Sequence, residues 1–420
     1  MTTRRQWALV VWALVIMAPA LAEGNREIVV ARDGSGDHRT IQAALESLPP
    51  ASAGPVTIVI RRGVYHEKLF LTRPYVTLLG EDRTGTRIVY AELRKNWTAA
   101  HDGSDRGAAT VNIDSSAHDI TIANLTIYNN YGSVYGDHDH QFAIRGWSTR
   151  VILLGCDVIA DGGDTISLWD GENGMYYHAA CAFEGWVDYI CPRGWCFVRD
   201  SRFFGHNTPS ASFWHDGSRD KRQKFVITDS FIDGVAGFPL GRNHRDGQFF
   251  FVRCAFSANM ADRPFYLPVS ARGPWQWGDR HYYWGCHREC GDYPWFADNL
   301  TAADPAPGPG DITARWTFDG RWDPEATLPA LLPYAIAPVP ANGVRVTAGG
   351  AVSFSWVPAR HARVQRIVLT PGDAAGAMID GDARHWTSGR LAPHTTYTWR
   401  VDALGVADTV SGTTWTFTTE

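Results

Sequence analysis

The sequence predicts an all-β protein, a parallel β-helix followed by a small β-sandwich. Three observations carry that expectation. A degenerate unit of 20–31 residues recurs through the middle of the chain. Two aspartates, Asp164 and Asp188, fall at nearly the same phase of consecutive units, eight residues after Cys156 and seven after Cys181. Beyond residue 342 the texture changes to short alternating segments separated by turns.

The repeat is anchored on Leu125, Cys156, Cys181, Ser201, Ser230 and Cys254, with spacings of 31, 25, 20, 29 and 24 residues. Two residues after the anchors stand Ile127, Val158, Phe183, Phe203, Ile232 and Phe256, apolar every time. Four residues before them stand Thr121, Ile152, Tyr177, Phe197, Val226 and Phe250, apolar in five of six. Alternation inside a unit of fixed phase is a strand repeat, because successive strand side chains point to opposite faces. Variable unit length means that loops are inserted between constant strands. One coil cannot bury its own face, so coils stack and share a core. Anchors such as Cys156 and Cys181 then lie ~4.8 Å apart, where they either bond or pack as small apolar residues, packing being preferred.

The other elements follow in chain order. Residues 1–22 read as a secretory signal: Arg4 and Arg5, an apolar run from Ala8 to Ala18, and an Ala20-Leu21-Ala22 cleavage site. The run is too short for a comfortable membrane span, and no later segment is long enough. The β-helix domain is expected over 23–325. It opens with a strand at Ile28 and a turn-rich Asp33-Gly34-Ser35-Gly36-Asp37. A short amphipathic helix then runs from Thr40 to Leu48, with Ile41, Ala44, Leu45 and Leu48 on one face. Strands follow near Val56 and Val76. A Pro- and Ala-rich linker is expected over 326–342, and a sandwich over 343–420, where the stretches around Trp356, Tyr397 and Trp415 alternate.

Composition narrows the function classes. Removing Arg4 and Arg5 from the 39 basic residues leaves 37 against 44 acidic ones, which disfavours nucleic acid as a partner. Seven cysteines in an exported chain permit disulfides, with Cys191–Cys196 and Cys286–Cys290 close enough to pair locally. A metal site of Cys286, Cys290, His281 and His287 lacks the usual spacing, so neither metal nor cofactor is expected.

Side-by-side acids with different surroundings hold different pKa values, so one acts as acid and the other as base or nucleophile. Around this pair stand, in order, Asp33-Gly-Ser-Gly-Asp37 with Thr40-Ile-Gln42, Gly63-Val-Tyr-His-Glu67, His140-Gln-Phe-Ala-Ile144, Gly163-Asp-Thr165, Val187-Asp-Tyr-Ile190 and Leu240-Gly-Arg242. Together they resemble the pectin methylesterases (pectinesterases), carbohydrate esterases built on a right-handed parallel β-helix, over roughly residues 28–300. The resemblance implies that Asp188 is the nucleophile and Asp164 the general acid/base. It implies that Gln141 stabilises the oxyanion and that Arg242 hydrogen-bonds the nucleophilic carboxylate. It further implies an enzyme removing methyl esters from pectin or a related polyuronate, and the signal at 1–22 makes it secreted or periplasmic. Trp356 and the Leu391-x-Pro393-x-x-x-Tyr397 stretch resemble a fibronectin type III domain.

Some positions depart from the family. Gly162 and Gly163 stand where an aromatic and a second glutamine usually precede the acid/base, and Asn243-His244 replace Pro-Trp after Leu-Gly-Arg. His140 and His244 are candidates to fill the gap. Trp186 and Tyr189 are further substrate-binding candidates. Trp147, Trp169, Trp214, Trp275 and Trp277 are possible sugar-stacking residues. The competing readings are a catalytically weakened polysaccharide-binding protein, and a polyuronate hydrolase or lyase on the same fold.

Overall fold

The computed structural model describes residues 26–420 apart from 52–53, 218, 270–275, 348–349, 373–375 and 406–407. The expected signal segment 1–22 and Trp275 lie outside the described residues. Three parallel sheets run the length of the first domain. One has ten strands, from Arg26–Val30 to His281–Trp284. A second has nine, from Gly63–Tyr65 to His287–Arg288. The third is broken: Leu69–Leu71, Ala109–Ile113, Phe142–Gly146 and Ile166–Leu168 form four strands, and single bridges at Ile190 and Phe213 continue them to Phe213–Trp214 and Gly241–Arg242. This is a parallel β-helix. Among the described residues no helix is long and apolar enough to cross a membrane.

The repeat phase read from sequence is the phase of the coils. Ile127, Val158, Phe183, Phe203, Ile232 and Phe256 form one in-register column, all buried in the central core. Directly before each anchor stands a residue in the left-handed region, which turns the chain from the ten-stranded to the nine-stranded sheet. Asn124, Ala180, Asp200, Asp229 and Arg253 have φ of 49–55° and Gly155 57°; Gly285, before Cys286 in the following coil, has 58°. That conformation is costly for most side chains, and a stack that needs it in every coil holds it by pairing on both sides.

The second column lies on the other side of its sheet. Thr121, Ile152, Tyr177, Phe197, Val226 and Phe250 are in register, but they face outward. Their apolar members pack against Leu300, Ile312, Phe318, Leu328 and Leu332, which lie across the outside of the ten-stranded sheet. The stretch read as a linker over 326–342 is therefore packed rather than free. Leu328, Leu332 and Ile336 are buried, and Ile336–Val339 is already a strand of the second domain. Arg199 anchors the join, donating to Glu325 Oε1 (2.8 Å) and to the Pro338 carbonyl (3.0 Å).

The N-terminal helix is Ile41–Glu46. The Ala43 N–H donates to Thr40 Oγ1, and the Ile41 and Gln42 N–H groups donate to the Glu67 carboxylate at 3.1 and 2.9 Å. A carboxylate on free N–H groups at a helix start satisfies donors that have no intrahelical partner. Ile41 and Ala44 are buried, with Leu45 and Leu48 packed beside them. The second domain is two packed sheets of three and six strands, mostly antiparallel, closed over Phe354, Trp356, Tyr397, Trp399, Trp415 and Phe417.

The local pairings that the spacing permits do not form: all seven cysteines are thiols. Cys191 lies beside Ser167 on the third sheet, while Cys196 faces the core from the next strand of the ten-stranded sheet. The turn between them separates the two side chains. Cys286 is buried and Cys290 exposed. Cys156 with Cys181, and Cys254 with Cys286, are stacked neighbours in adjacent coils.

Candidate active site

Asp164 and Asp188 stand on the third sheet in exact coil register, since the Ile166–Ile190 bridge places residues 24 apart side by side. The Asp164 N–H donates to the Val187 carbonyl (2.9 Å) and the Asp188 N–H to the Ala211 carbonyl (2.9 Å), so the coil above holds each. Both are in the left-handed region, at φ 62° and 49°. Such strain in non-glycine residues concentrates at sites the fold over-determines. Both carboxylates are 3% exposed overall, at the floor of a surface rather than on it.

Arg242 reaches Asp188 from two coils further on. Its Nε donates to Asp188 Oδ1 at 2.8 Å and its Nη2 to Oδ2, a bidentate pair. Burial dominates the titration of Asp188 and raises its pKa to about 6; hydrogen bonds and charge from Arg242 pull down, and Asp164 pushes up. The expectation that an adjacent guanidinium would lower this pKa is therefore only part of the balance, because desolvation is the larger effect. The group is still mostly ionised at pH 7.

Asp164 has different company. Its Oδ1 is 3.7 Å from the Cys191 thiol, a neutral neighbour whose pKa burial pushes well up. Its Oδ2 is 3.5 Å from Arg94 Nη1 and 3.9 Å from His140 Nε2. Arg94 also pairs with Asp105 (3.3 Å), which in turn takes Arg145 Nη2 (3.0 Å). Gln141 is fully buried. Its Oε1 accepts from the Gly132 N–H (3.2 Å) and its Nε2 donates to the Asp137 carbonyl (2.6 Å), which fixes the amide and leaves one N–H.

Of the residues expected from sequence, Asp164, Asp188, Arg242 and His140 converge, with Gln141 adjoining. Trp186 is partly exposed and stacks on His138 at 4.3 Å and towards His206 at 5.9 Å. His244 is not at the acid pair. It stands edge-on to Trp214 at 5.1 Å, where burial and the Arg242 charge lower its pKa to about 4. Tyr189 corrects the expectation for it: the side chain is fully buried against Phe213, facing the core. Asp188 lies in a turn with left-handed backbone, and that turn carries the next side chain inward.

Beside the acids runs a ladder of alternating arginines and tryptophans. Arg145 sits over Trp147 (4.2 Å) and Trp169 (3.6 Å), and Arg193 over Trp169 (3.7 Å) and Trp214 (4.9 Å). Trp147, Trp169, Trp214 and Arg193 are partly exposed. Trp277 stands apart, its backbone N–H donating to Asp246 Oδ1. Arg94, Arg145 and Arg193 were not anticipated. Arg145 adjoins the His140–Ile144 motif and was within reach; Arg94 lies 70 residues from Asp164 with no local signal.

Residues 27–226 match the pectinesterase family. The chain is 30% identical over 259 residues to putative pectinesterase 11 of Arabidopsis thaliana, covering 60% of this chain and 66% of the relative. It is 33% identical over 178 residues to probable pectinesterase 49 of the same plant, covering 42% and 46%. The chain thus spans about half the length of the first curated relatives it matches. Pectin methylesterase PemA from Erwinia chrysanthemi superposes with TM-score 0.56 at 21% identity, covering 71% of this chain and 98% of that one. A pectin methylesterase in complex with a hexasaccharide superposes with TM-score 0.57 at 22% identity, covering 71% and 98%. At such identities the superpositions establish the shared β-helix. By family match, residues 27–226 are similar to the pectinesterases, which are carboxylic ester hydrolases.

Proposed function

We propose that the protein is an exported carbohydrate esterase that hydrolyses methyl esters of pectin or a related polyuronate. The observation that carries the reading is the pair of in-register carboxylates held differently: Asp188 clamped by a bidentate Arg242, and Asp164 between a neutral thiol and a single, longer contact to Arg94 at 3.5 Å. In this reading an oxygen of Asp188 attacks the ester carbon and the carbonyl pair moves onto oxygen. The remaining N–H of Gln141 is a donor for that oxyanion. On collapse the C–O bond to methanol breaks and the leaving oxygen takes the proton of Asp164. Water then attacks the acyl-enzyme, Asp164 takes back a proton, and Asp188 is released as carboxylate.

Trp186 on one side of the acids, and Trp169 and Trp214 on the other, offer faces on which sugar rings stack. Arg193 between those two tryptophans offers a cation to a uronate carboxylate. The second domain reads as a fibronectin type III-like module: Trp356 lies in its core, and the Tyr397 hydroxyl takes the Ala392 N–H at 2.9 Å. Among the described residues it contributes no group to the acid pair. Removal of a signal over residues 1–22, with the protein secreted or periplasmic, belongs to the same reading.

The test is methanol release from methylated pectin by wild type and Asp188→Ala. Release by the wild type, lost in the variant, is the expected result. Chain shortening without methanol, or binding without turnover, would sink the esterase reading.

A further inference from the structure

Arg193 is a cation whose donors are unused. Its guanidinium lies over Trp169 at 3.7 Å, and Trp214, edge-on to Trp169, closes the other side at 4.9 Å. A guanidinium stacked on a ring keeps its N–H groups in its own plane, directed past the ring edge. Among the described residues none of these groups has a hydrogen-bond acceptor. Nε is buried without a partner, and the carboxylate that Arg193 pairs with, Asp216, is 3.8 Å away. Arg245 Nε faces the same Asp216 oxygen from 3.7 Å. Two guanidiniums thus share one carboxylate, both beyond hydrogen-bond distance. The neighbouring arginines are satisfied: Arg242 holds Asp188 by two bonds, and Arg145 reaches both oxygens of Asp105. The Arg193 side chain is 29% exposed, so it is partly desolvated and still open to a ligand. A desolvated cation without hydrogen bonds is costly, and a bound anion offsets that cost. The coils fix its place. Arg193 stands five residues after Asp188 and Trp169 five after Asp164, and the Arg193 N–H donates to the Leu168 carbonyl at 2.9 Å. Five extended residues span at most about 18 Å, so the guanidinium lies beside the acids, along the run of a bound polysaccharide.

We propose that Arg193 is a specificity-determining residue: it binds the free carboxylate of a uronate neighbouring the sugar whose ester is cleaved, with Arg245 adding charge behind it. The proposal rests on the esterase reading above. A free carboxylate takes two parallel N–H donors from one guanidinium, whereas a methyl ester offers a neutral carbonyl and no charge. Trp169 holds the guanidinium by its face and leaves that fork to the substrate. The charge balance agrees. The main charges acting on His244, which stands against Trp214, are Arg242, Asp216, Arg193 and Arg245. Asp188 matches Arg242 and Asp216 matches one of the other two, so one positive charge remains. The site therefore favours polyuronate in which esters and free acids are neighbours over a chain that is esterified throughout.

The experiment measures kcat and KM for methanol release from partly and from fully methylated polygalacturonate, for wild type, Arg193→Gln, Arg193→Lys and Arg245→Gln. The wild type is expected to show the lower KM on the partly methylated substrate, and salt should raise that value. Arg193→Gln is expected to raise it by about 10–100-fold, the scale of hydrogen bonds to a charged group. The loss should fall on KM rather than kcat, and far less on the fully methylated substrate. Inhibition by unmethylated polygalacturonate should weaken by the same factor. Arg193→Lys keeps the charge without the fork and should fall between. Arg245 is 47% exposed, and its glutamine variant should cost about fivefold or less. Equal losses on both substrates in Arg193→Gln would mean that Arg193 braces the tryptophans, and would overturn the proposal. A wild type that does not favour the partly methylated substrate overturns it too, and the esterase reading stands in both cases. If Arg193→Gln does not fold, the ratio of the two KM values in Arg193→Lys decides, and a ratio equal to wild type overturns the proposal. No methanol from the wild type on either substrate overturns the esterase reading. Calorimetric titration with unmethylated polygalacturonate then decides the subsite, which equal affinity in wild type and Arg193→Gln would overturn.

Discussion

Replacing Arg242 by alanine should move the acid limb of the activity profile, and the structure sets its direction and size. Asp188 is the group whose ionisation the proposed attack requires, and its pKa is raised to about 6 with Arg242 in place. Burial is the cause that raises it, and Arg242 is the largest influence opposing burial. The guanidinium makes a bidentate contact at 16% side-chain exposure, against 4% for the aspartate, so solvent screens the pair weakly. An opposite charge in contact is worth about one to three pH units, or about 1.4–4 kcal/mol at 1.36 kcal/mol per unit. The wild type should therefore lose kcat/KM as pH falls through about 6. Arg242→Ala should show the same limb displaced upward by about one to three units, so that activity at pH 7 falls and is partly restored at pH 9. The sign for stability runs opposite to that of an ordinary carboxylate. A folded pKa above the unfolded one contributes stability that is present below pH 3.8 and lost as pH rises through about 6. Truncating Arg242 leaves a buried charge unpaired and should cost about 3–5 kcal/mol of stability near neutral pH. Methanol release measured from pH 4 to 9 decides the matter. An acid limb at the same pH in both proteins would refute the assignment of that limb to Asp188 under the control of Arg242.

Two other outcomes are expected. Gly162→Ala places a Cβ against the Asp139 carbonyl and 2.8 Å from Gln141 Nε2, so it should destabilise the domain by about 1–3 kcal/mol and lower kcat by displacing the Gln141 amide; a denaturant midpoint and kcat equal to wild type would contradict the packing. Since all seven cysteines are thiols, six of them buried, a reducing agent should leave the melting temperature unchanged, and thiol titration of the denatured protein should count seven; a fall in melting temperature on reduction would reveal a bond between stacked cysteines.

The coil register was legible because the β-helix writes its period directly into the chain. Ile127, Val158 and Phe183 recur at fixed phase from Leu125, Cys156 and Cys181, and inward positions tolerate only apolar residues. The same phase put Asp164 beside Asp188, and the Leu240-Gly-Arg242 motif pointed to the partner of Asp188. The outward column is a different case. Tyr177, Phe197, Val226 and Phe250 look like core residues from sequence, and they are buried, but by residues 300–337 lying across the sheet. Burial by a distant segment leaves no period of its own. The segment over 326–342 was read as a linker because Pro and Ala are abundant in it, whereas Leu328, Leu332 and Ile336 decide its packing.

The sequence by itself determined the stack, the pairing of the two acids and the family to which residues 27–226 compare, because all three depend on local spacing and short motifs. Only the tertiary structure decided how the acids are surrounded. Arg94 comes to Asp164 from 70 residues upstream, and His140 lies against the glycine that precedes Asp164. Tyr189, next in sequence to Asp188, turns into the core. The titration of Asp188 depends on burial, a property of every coil around it at once. Charges and desolvation act through space, so no stretch of chain, read alone, carries them.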